Sequence, residues 1–136
     1  MSLLFEPFQL SKDLRLPNRI VMAPMTRCMA GARGVPTEAM AAYYARRASA
    51  GLLITEATAV SRQALGYPSV PGLYSEEQVA GWFRVTNEVH RAGGRIFAQL
   101  WHTGRAAHSY FSDEEPVAPS AIQLVGTVPR MRRLEY

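Results

Sequence analysis

Three short runs, Ile20-Val21-Met22-Ala23, Leu52-Leu53-Ile54-Thr55 and Arg95-Ile96-Phe97-Ala98-Gln99-Leu100, alternate with two helix-like segments. This alternation constrains the chain more than any other feature. Continuous apolar runs of that kind fit strands covered on both faces. Strands joined by helices pair in parallel through right-handed crossovers. Parallel strands all point one way, so their C-terminal ends gather at one rim, where β/α barrels build their sites. The chain ends its runs in Ala23-Pro24-Met25-Thr26, Thr55-Glu56-Ala57-Thr58 and Gln99-Leu100-Trp101-His102, and chemistry is expected there.

The connecting segments carry their own signals. Phe8, Leu10, Leu14 and Leu16 around the turn residues Ser11-Lys12-Asp13 predict an N-terminal hairpin over residues 1–17, a cap over the strands and helices. Thr37 is a helix cap, and Met40, Tyr43, Tyr44 and Arg47 keep helical spacing from Glu38 to about Ala50, before Gly51. A long loop with Gly66, Pro68, Pro71 and Gly72 comes after the second run. Ser75-Glu76-Glu77-Gln78 has capping-box spacing and opens a second helix to about Ala92, with Val79, Trp82, Phe83, Thr86 and Val89 on its expected buried stripe and Gly93-Gly94 at its end. Strands and two helices thus occupy residues 18–111. Residues 112–136 read as loop and tail: Asp113-Glu114-Glu115-Pro116 is a solvated turn, and Val125-Gly126-Thr127-Val128 resembles half of a small hairpin.

Composition bounds the function classes. The 136 residues make one domain's worth of chain, and 48% hydrophobic with 19% charged residues is enough for a buried core. The net charge of +4 is spread out apart from Arg130, Arg132 and Arg133, so no basic stripe suited to nucleic acid forms. The single Cys28 excludes an intrachain disulfide, and no signal peptide or membrane-length apolar run is visible, so a cytoplasmic protein is expected. His90, His102 and His108 lack ligand spacing with Cys28 or acidic residues, and no metal site is expected.

Asn18-Arg19-Ile20-Val21-Met22-Ala23-Pro24-Met25-Thr26-Arg27, Gly51-Leu52-Leu53-Ile54-Thr55-Glu56-Ala57, Gly66-Tyr67, Gln99-Leu100-Trp101-His102-Thr103-Gly104-Arg105 and Pro119-Ser120-Ala121 closely resemble, in order, the motifs of the old yellow enzyme family. The resemblance runs from about Leu4 to Ala121. It implies an α/β fold: the first three β/α units of a TIM-type (β/α)8 barrel behind an N-terminal β-hairpin, with the barrel incomplete in this chain. It also implies FMN as cofactor, NAD(P)H as reductant, and reduction of activated C=C bonds in enone-like substrates.

The residue types agree with a flavin. A primary amide serves a ring carbonyl and a ring N–H together, and Gln99 has one. A hydroxyl donor at the other carbonyl favours the reduced ring, and Thr26 resembles the family residue in that place. Backbone at Ala23, Pro24 and Met25 would lie against the ring, and small Ala57 would let its strand approach. By the same resemblance Tyr67 and Trp101, with Thr26, line the substrate pocket. Taken singly, Thr26 and Gln99 are ordinary strand-end residues, Trp101 is a core residue and Tyr67 a loop residue. Only their joint occurrence carries the assignment. Cys28 reads as a buried small hydrophobe with a reactive thiol as the alternative, Glu56 as a polar partner for neighbouring strands with a general base as the alternative, and His102 as orienting its own loop.

The chain departs from the family in two respects. The family's H-x-x-H or H-x-x-N pair and nearby tyrosine proton donor have no counterpart: Gly93, Arg105 and Phe111 stand three residues after His90, His102 and His108. No catalytic residue is therefore assigned, and nothing replaces the family's phosphate anchor. A full barrel takes about 250 residues. An isolated opening portion would expose two strand edges, so self-association or a complementing C-terminal portion of the barrel is expected, with a non-catalytic interaction module as the alternative.

Overall fold

The computed structural model describes residues 2–122, so the expected half-hairpin at Val125–Val128 and the arginines at 130, 132 and 133 lie outside it. The N-terminal hairpin is formed by β1 (Phe8–Ser11) and β2 (Leu14–Leu16), antiparallel about the Lys12-Asp13 turn. The main sheet holds β3 (Val21–Met22), β4 (Leu52–Ala59) and β5 (Ile96–Trp101) in the order β3-β4-β5, all parallel. Between them run α1 (Glu38–Ala45) and α2 (Glu76–Arg91), and a short α3 (Ser109–Ser112) comes after β5.

Local chemistry places each element. The Thr37 hydroxyl accepts the Met40 N–H at the start of α1. Ser75 and Gln78 form a reciprocal capping box on α2. Asn18 fixes the entry to β3: its amide donates to Ser49 O (2.8 Å) and its Oδ1 accepts the Ile20 N–H (3.0 Å). A Cβ at Gly51 would stand 2.2 Å from Asn18 O, so only glycine permits β4 to begin there.

One face of the sheet packs on the helices. Leu53 (β4), Met40, Ala41 and Tyr44 (α1) and Trp82, Val85 and Val89 (α2) form the buried core, with Ile96 of β5 against it. Three sequence expectations change here. The first helix stops at Ala45, and residues 46–50 turn into Gly51. The second strand runs four residues beyond Thr55, to Ala59. On α2 the buried residues are Gln78, Gly81, Trp82, Val85 and Val89, whereas Val79 and Phe83 are 53% and 65% exposed. Trp82 and Val89 of the expected stripe are buried, while Gln78, Gly81 and Val85 take the places expected for Val79, Phe83 and Thr86: Gly81 lies so close to Pro36 that a Cβ there would stand 2.7 Å from the ring, and this face of α2 turns Val85 inward and Phe83 out.

β4 contains an irregularity that decides the site. Its register with β5 steps from Ile54↔Phe97 to Ala57↔Gln99, three residues against two, so Thr55-Glu56 forms a β-bulge. A bulge reverses side-chain alternation. Leu53 and Glu56, three apart, both face the helices, since Glu56 meets Tyr44 of α1. Ala57 therefore turns to the opposite face, and its register partner Gln99 and then Trp101, partner of Ala59, share that face.

Candidate functional site

The bulge anchors the backbone beside two of the candidate residues. Gln99 is pinned through its backbone, its N–H donating to Thr55 Oγ1 (3.0 Å). The Arg27 N–H, immediately after Thr26, donates to Glu56 Oε2 (3.1 Å). The Arg27 backbone next to Thr26 and the Gln99 backbone, far apart in sequence, are thus both tied to the Thr55–Ala57 stretch in the middle of β4, Arg27 through the helix-facing side chain of Glu56 and Gln99 through Thr55. Among the described residues the Gln99 carboxamide and the Thr26 hydroxyl make no hydrogen bond, so both groups stand available to a ligand. That donor set fits the polar edge of a planar heterocycle with alternating carbonyl and N–H groups.

Tyr67 and Trp101 meet at the same rim. Their ring centroids are 5.7 Å apart with planes tilted by 30°. The loop after β4 is fastened to the end of β5 to bring them there: the Val60 N–H donates to Trp101 O, and Thr103 donates to Ala64 O from both its N–H and its hydroxyl. A Cβ at Gly66 would come 2.8 Å from Thr103 Cγ2, so a side chain at that position would push the two loops apart. Ala23 and Met25 are exposed and Pro24 half-buried on the strand leading out of β3.

Glu56 and Tyr44 make up the support under this rim. Glu56 is 1% exposed and Tyr44 fully buried. The tyrosine hydroxyl accepts the Glu56 N–H (2.8 Å) and donates to Glu56 Oε1 (3.2 Å). Burial pushes the Glu56 carboxyl above its ordinary 4.5, against the opposing pull of the Arg27 N–H, the Tyr44 hydroxyl and the Cys28 N–H. Burial likewise raises the Tyr44 phenol, with the neighbouring carboxylate adding to it. The sequence suggests a polar partner for adjacent strands at Glu56; its side-chain partners are instead a loop backbone and a helix tyrosine. Tyr44 does not stand out in the sequence as part of a site, because helical spacing marks it only as core, and although Thr55 lies in a cluster where chemistry is expected, no residue pattern signals the bulge it helps to form.

The remaining candidates have mixed outcomes. Cys28 is exposed, not buried, because the chain there leaves the sheet with Cys28 at φ 54°, beyond the point where Glu56 grips Arg27. His102 does orient its own loop, its Nδ1 accepting the Gly104 N–H (2.9 Å). Among the described residues no three His, Cys, Asp or Glu side chains cluster as metal ligands, and no helix is long and apolar enough to cross a membrane. A cavity of about 670 Å³ has Arg33, Arg62, Tyr67, Val70 and Gln78 on its wall but neither Thr26, Ala57 nor Gln99. On the sheet face that carries Ala57 and Gln99, Phe97 is half exposed while Ala57 and Ala59 are buried.

Comparison with known proteins gives this arrangement its family. Residues 3–129 match the sequence profile of the NADH:flavin oxidoreductase / NADH oxidase family, and the chain belongs to it. It is 50% identical to 12-oxophytodienoate reductase 7 of Oryza sativa subsp. japonica over 109 residues, 79% of this chain and 27% of the reductase. The old yellow enzyme homologue NCR of Zymomonas mobilis superposes with a TM-score of 0.87 at 53% identity, over 92% of this chain and 35% of that one. Morphinone reductase in complex with tetrahydroNAD superposes with a TM-score of 0.87 at 47% identity, over 93% of this chain and 35% of that one. The chain thus spans 27% to 35% of these relatives' own length.

Proposed function

We propose that the chain is the opening part of an FMN-dependent NAD(P)H oxidoreductase of the ene-reductase type, and that its three parallel strands are the first three β/α units of an eight-stranded barrel. The observations that support the reading are the pairing of Ala57 with Gln99 across β4 and β5 and the anchoring of the Arg27 backbone, next to Thr26, to Glu56 of the same β4 bulge. Relatives solved as old yellow enzyme and morphinone reductase support it.

In this reading the Gln99 carboxamide would donate to one ring carbonyl and accept from the adjacent ring N–H. The Thr26 hydroxyl would donate to the second carbonyl and so favour the reduced ring. Ala57, with only a methyl, leaves room for the ring against β4, and the backbone of Ala23, Pro24 and Met25 flanks it. Tyr67 and Trp101 hold the alkene in place between aromatic surfaces. Bound FMN would supply the hydride, drawn from NAD(P)H and delivered to the β-carbon of an α,β-unsaturated carbonyl compound. Polarising that carbonyl and protonating the α-carbon fall to groups outside this chain, which contains no H-x-x-H or H-x-x-N pair.

The experiment is to assay the chain with FMN, NADPH and cyclohexenone, alone and with a polypeptide supplying the remaining barrel. Turnover only in the supplemented mixture is the expected result. Turnover by the chain alone would refute the division of labour, and no turnover in either would refute the function.

A second reading has one observation in its favour: β5 forms an open sheet edge, with Phe97 and Leu100 50% and 63% exposed. An edge of that kind suits a barrel portion that assembles with itself or with a complementing chain. Size-exclusion chromatography separates the two, since a well-folded flavin-free monomer would argue against assembly.

A further inference from the structure

The buried Glu56 has no part in the chemistry above, yet it is the group from which the Thr26 loop hangs. The carboxylate lies behind the sheet face that carries Ala57, so it does not reach the candidate site itself. Its Oε1 accepts from the Tyr44 hydroxyl and its Oε2 from the Arg27 N–H. Tyr44 in turn accepts the Glu56 N–H, so the tyrosine fixes both ends of the glutamate. Backbone around Glu56 is fastened as well, its carbonyl accepting from the hydroxyls of Thr55 and Thr58. The carboxylate is a rigid strut between α1, the bulge of β4 and the loop leaving β3. Arg27 has a second hold on α1, its guanidinium 5.3 Å over the Tyr43 ring, but that contact is through a long side chain and fixes the backbone poorly. The peptide next to Thr26 is located by the strut.

We propose that Glu56 is a positioning residue: its carboxylate sets the Thr26–Arg27 backbone and through it the placing of the Thr26 hydroxyl at the flavin edge. The second half rests on the flavin reading above; the first does not.

Two measurements separate them. In the flavin-free chain, hydrogen exchange of the Arg27 N–H should quicken by about tenfold or more in Glu56→Ala, because the substitution removes both oxygens and leaves that N–H without its acceptor. The Leu53 and Val85 amides should keep their protection. In the FMN-loaded protein, Thr26→Val and Glu56→Ala should both lower the flavin midpoint potential, and the double variant should lower it no further than the larger single change. Should Glu56→Ala fail to fold, Glu56→Asp keeps the charge but is one methylene too short to reach Arg27, and the same two shifts are expected in it. An unchanged Arg27 exchange rate refutes the strut. A quickened Arg27 amide with an unchanged potential refutes its transmission to Thr26. A wild-type protein that takes up no FMN refutes the flavin reading and with it the second half, while the exchange measurement still decides the first.

Discussion

Tyr44→Phe removes one oxygen atom from the core, and its cost depends on what that oxygen holds. The hydroxyl is at once acceptor for the Glu56 N–H and donor to Glu56 Oε1, and both residues are sealed from water. Deleting it leaves a buried amide donor without an acceptor and a buried carboxylate short of a donor, each costing about 1–3 kcal/mol. The phenylalanine ring keeps the packing against Trp82, whose centroid lies 6.3 Å away, so little cavity penalty is added. The sum is about 3 kcal/mol, a large part of the roughly 5–15 kcal/mol that stabilises a domain. Urea unfolding monitored by tryptophan fluorescence reads it as a midpoint lower by about 1.5 M, taking a slope of about 2 kcal/mol per M. Tyr43→Phe is the control. That ring is gripped by Arg47 at 3.8 Å and Arg27 at 5.3 Å through its face, which phenylalanine retains, so a change within about 0.5 kcal/mol is expected. Equal midpoint shifts for the two variants would refute the idea that the Tyr44–Glu56 pair supports the rim.

Other perturbations test neighbouring parts of the molecule. Leu53→Ala, at a fully buried position facing both helices, should cost about 3 kcal/mol in the same assay, and a loss under about 1 kcal/mol would contradict the core assignment. Because burial raises the Glu56 carboxyl, the native chain binds its proton more tightly than the unfolded one. Its contribution is full below the ordinary 4.5 and is lost as pH rises through the raised value, so the stability difference between wild type and Glu56→Gln should fall across that window and then level off; a pH-independent difference in urea midpoints would contradict it. Phe83→Glu on the exposed face of α2 should leave the chain folded by circular dichroism and reduce any self-association seen by size-exclusion chromatography, whereas unfolding would mean that Phe83 packs inside.

Much of the architecture is legible in the sequence because it rests on short-range chemistry. Thr37, Ser75 and Gln78 announce helix starts by side-chain capping, and the Ser11–Asp13 turn announces the hairpin. The three apolar runs announce parallel strands, but the cover on both faces that such runs suggest is found only for β4, since β3 and β5 keep exposed residues. The illegible features depend on contacts across the fold. The close approach of Gly81 to Pro36 rotates α2 so that Phe83 faces out, and no periodicity in the helix itself reveals that. The bulge at Thr55-Glu56 is likewise invisible, because the hydrophobic run through Leu52–Thr55 reads the same with or without it. Yet the bulge turns Ala57 toward Gln99 and leaves Glu56 facing Tyr44. The motif residues can be named from sequence; the strut beneath them cannot, because its members, Arg27, Tyr44 and Glu56, meet only through tertiary structure.

The most direct test of a shared flavin grip is a nuclear magnetic resonance titration of the chain with FMN, monitoring the Gln99 side-chain amide, the Ala57 methyl and the Thr26 backbone amide. All three signals should move together and saturate along one binding curve. Saturating shifts confined to residues around Arg33 and Arg62, with Thr26, Ala57 and Gln99 unmoved, would contradict it.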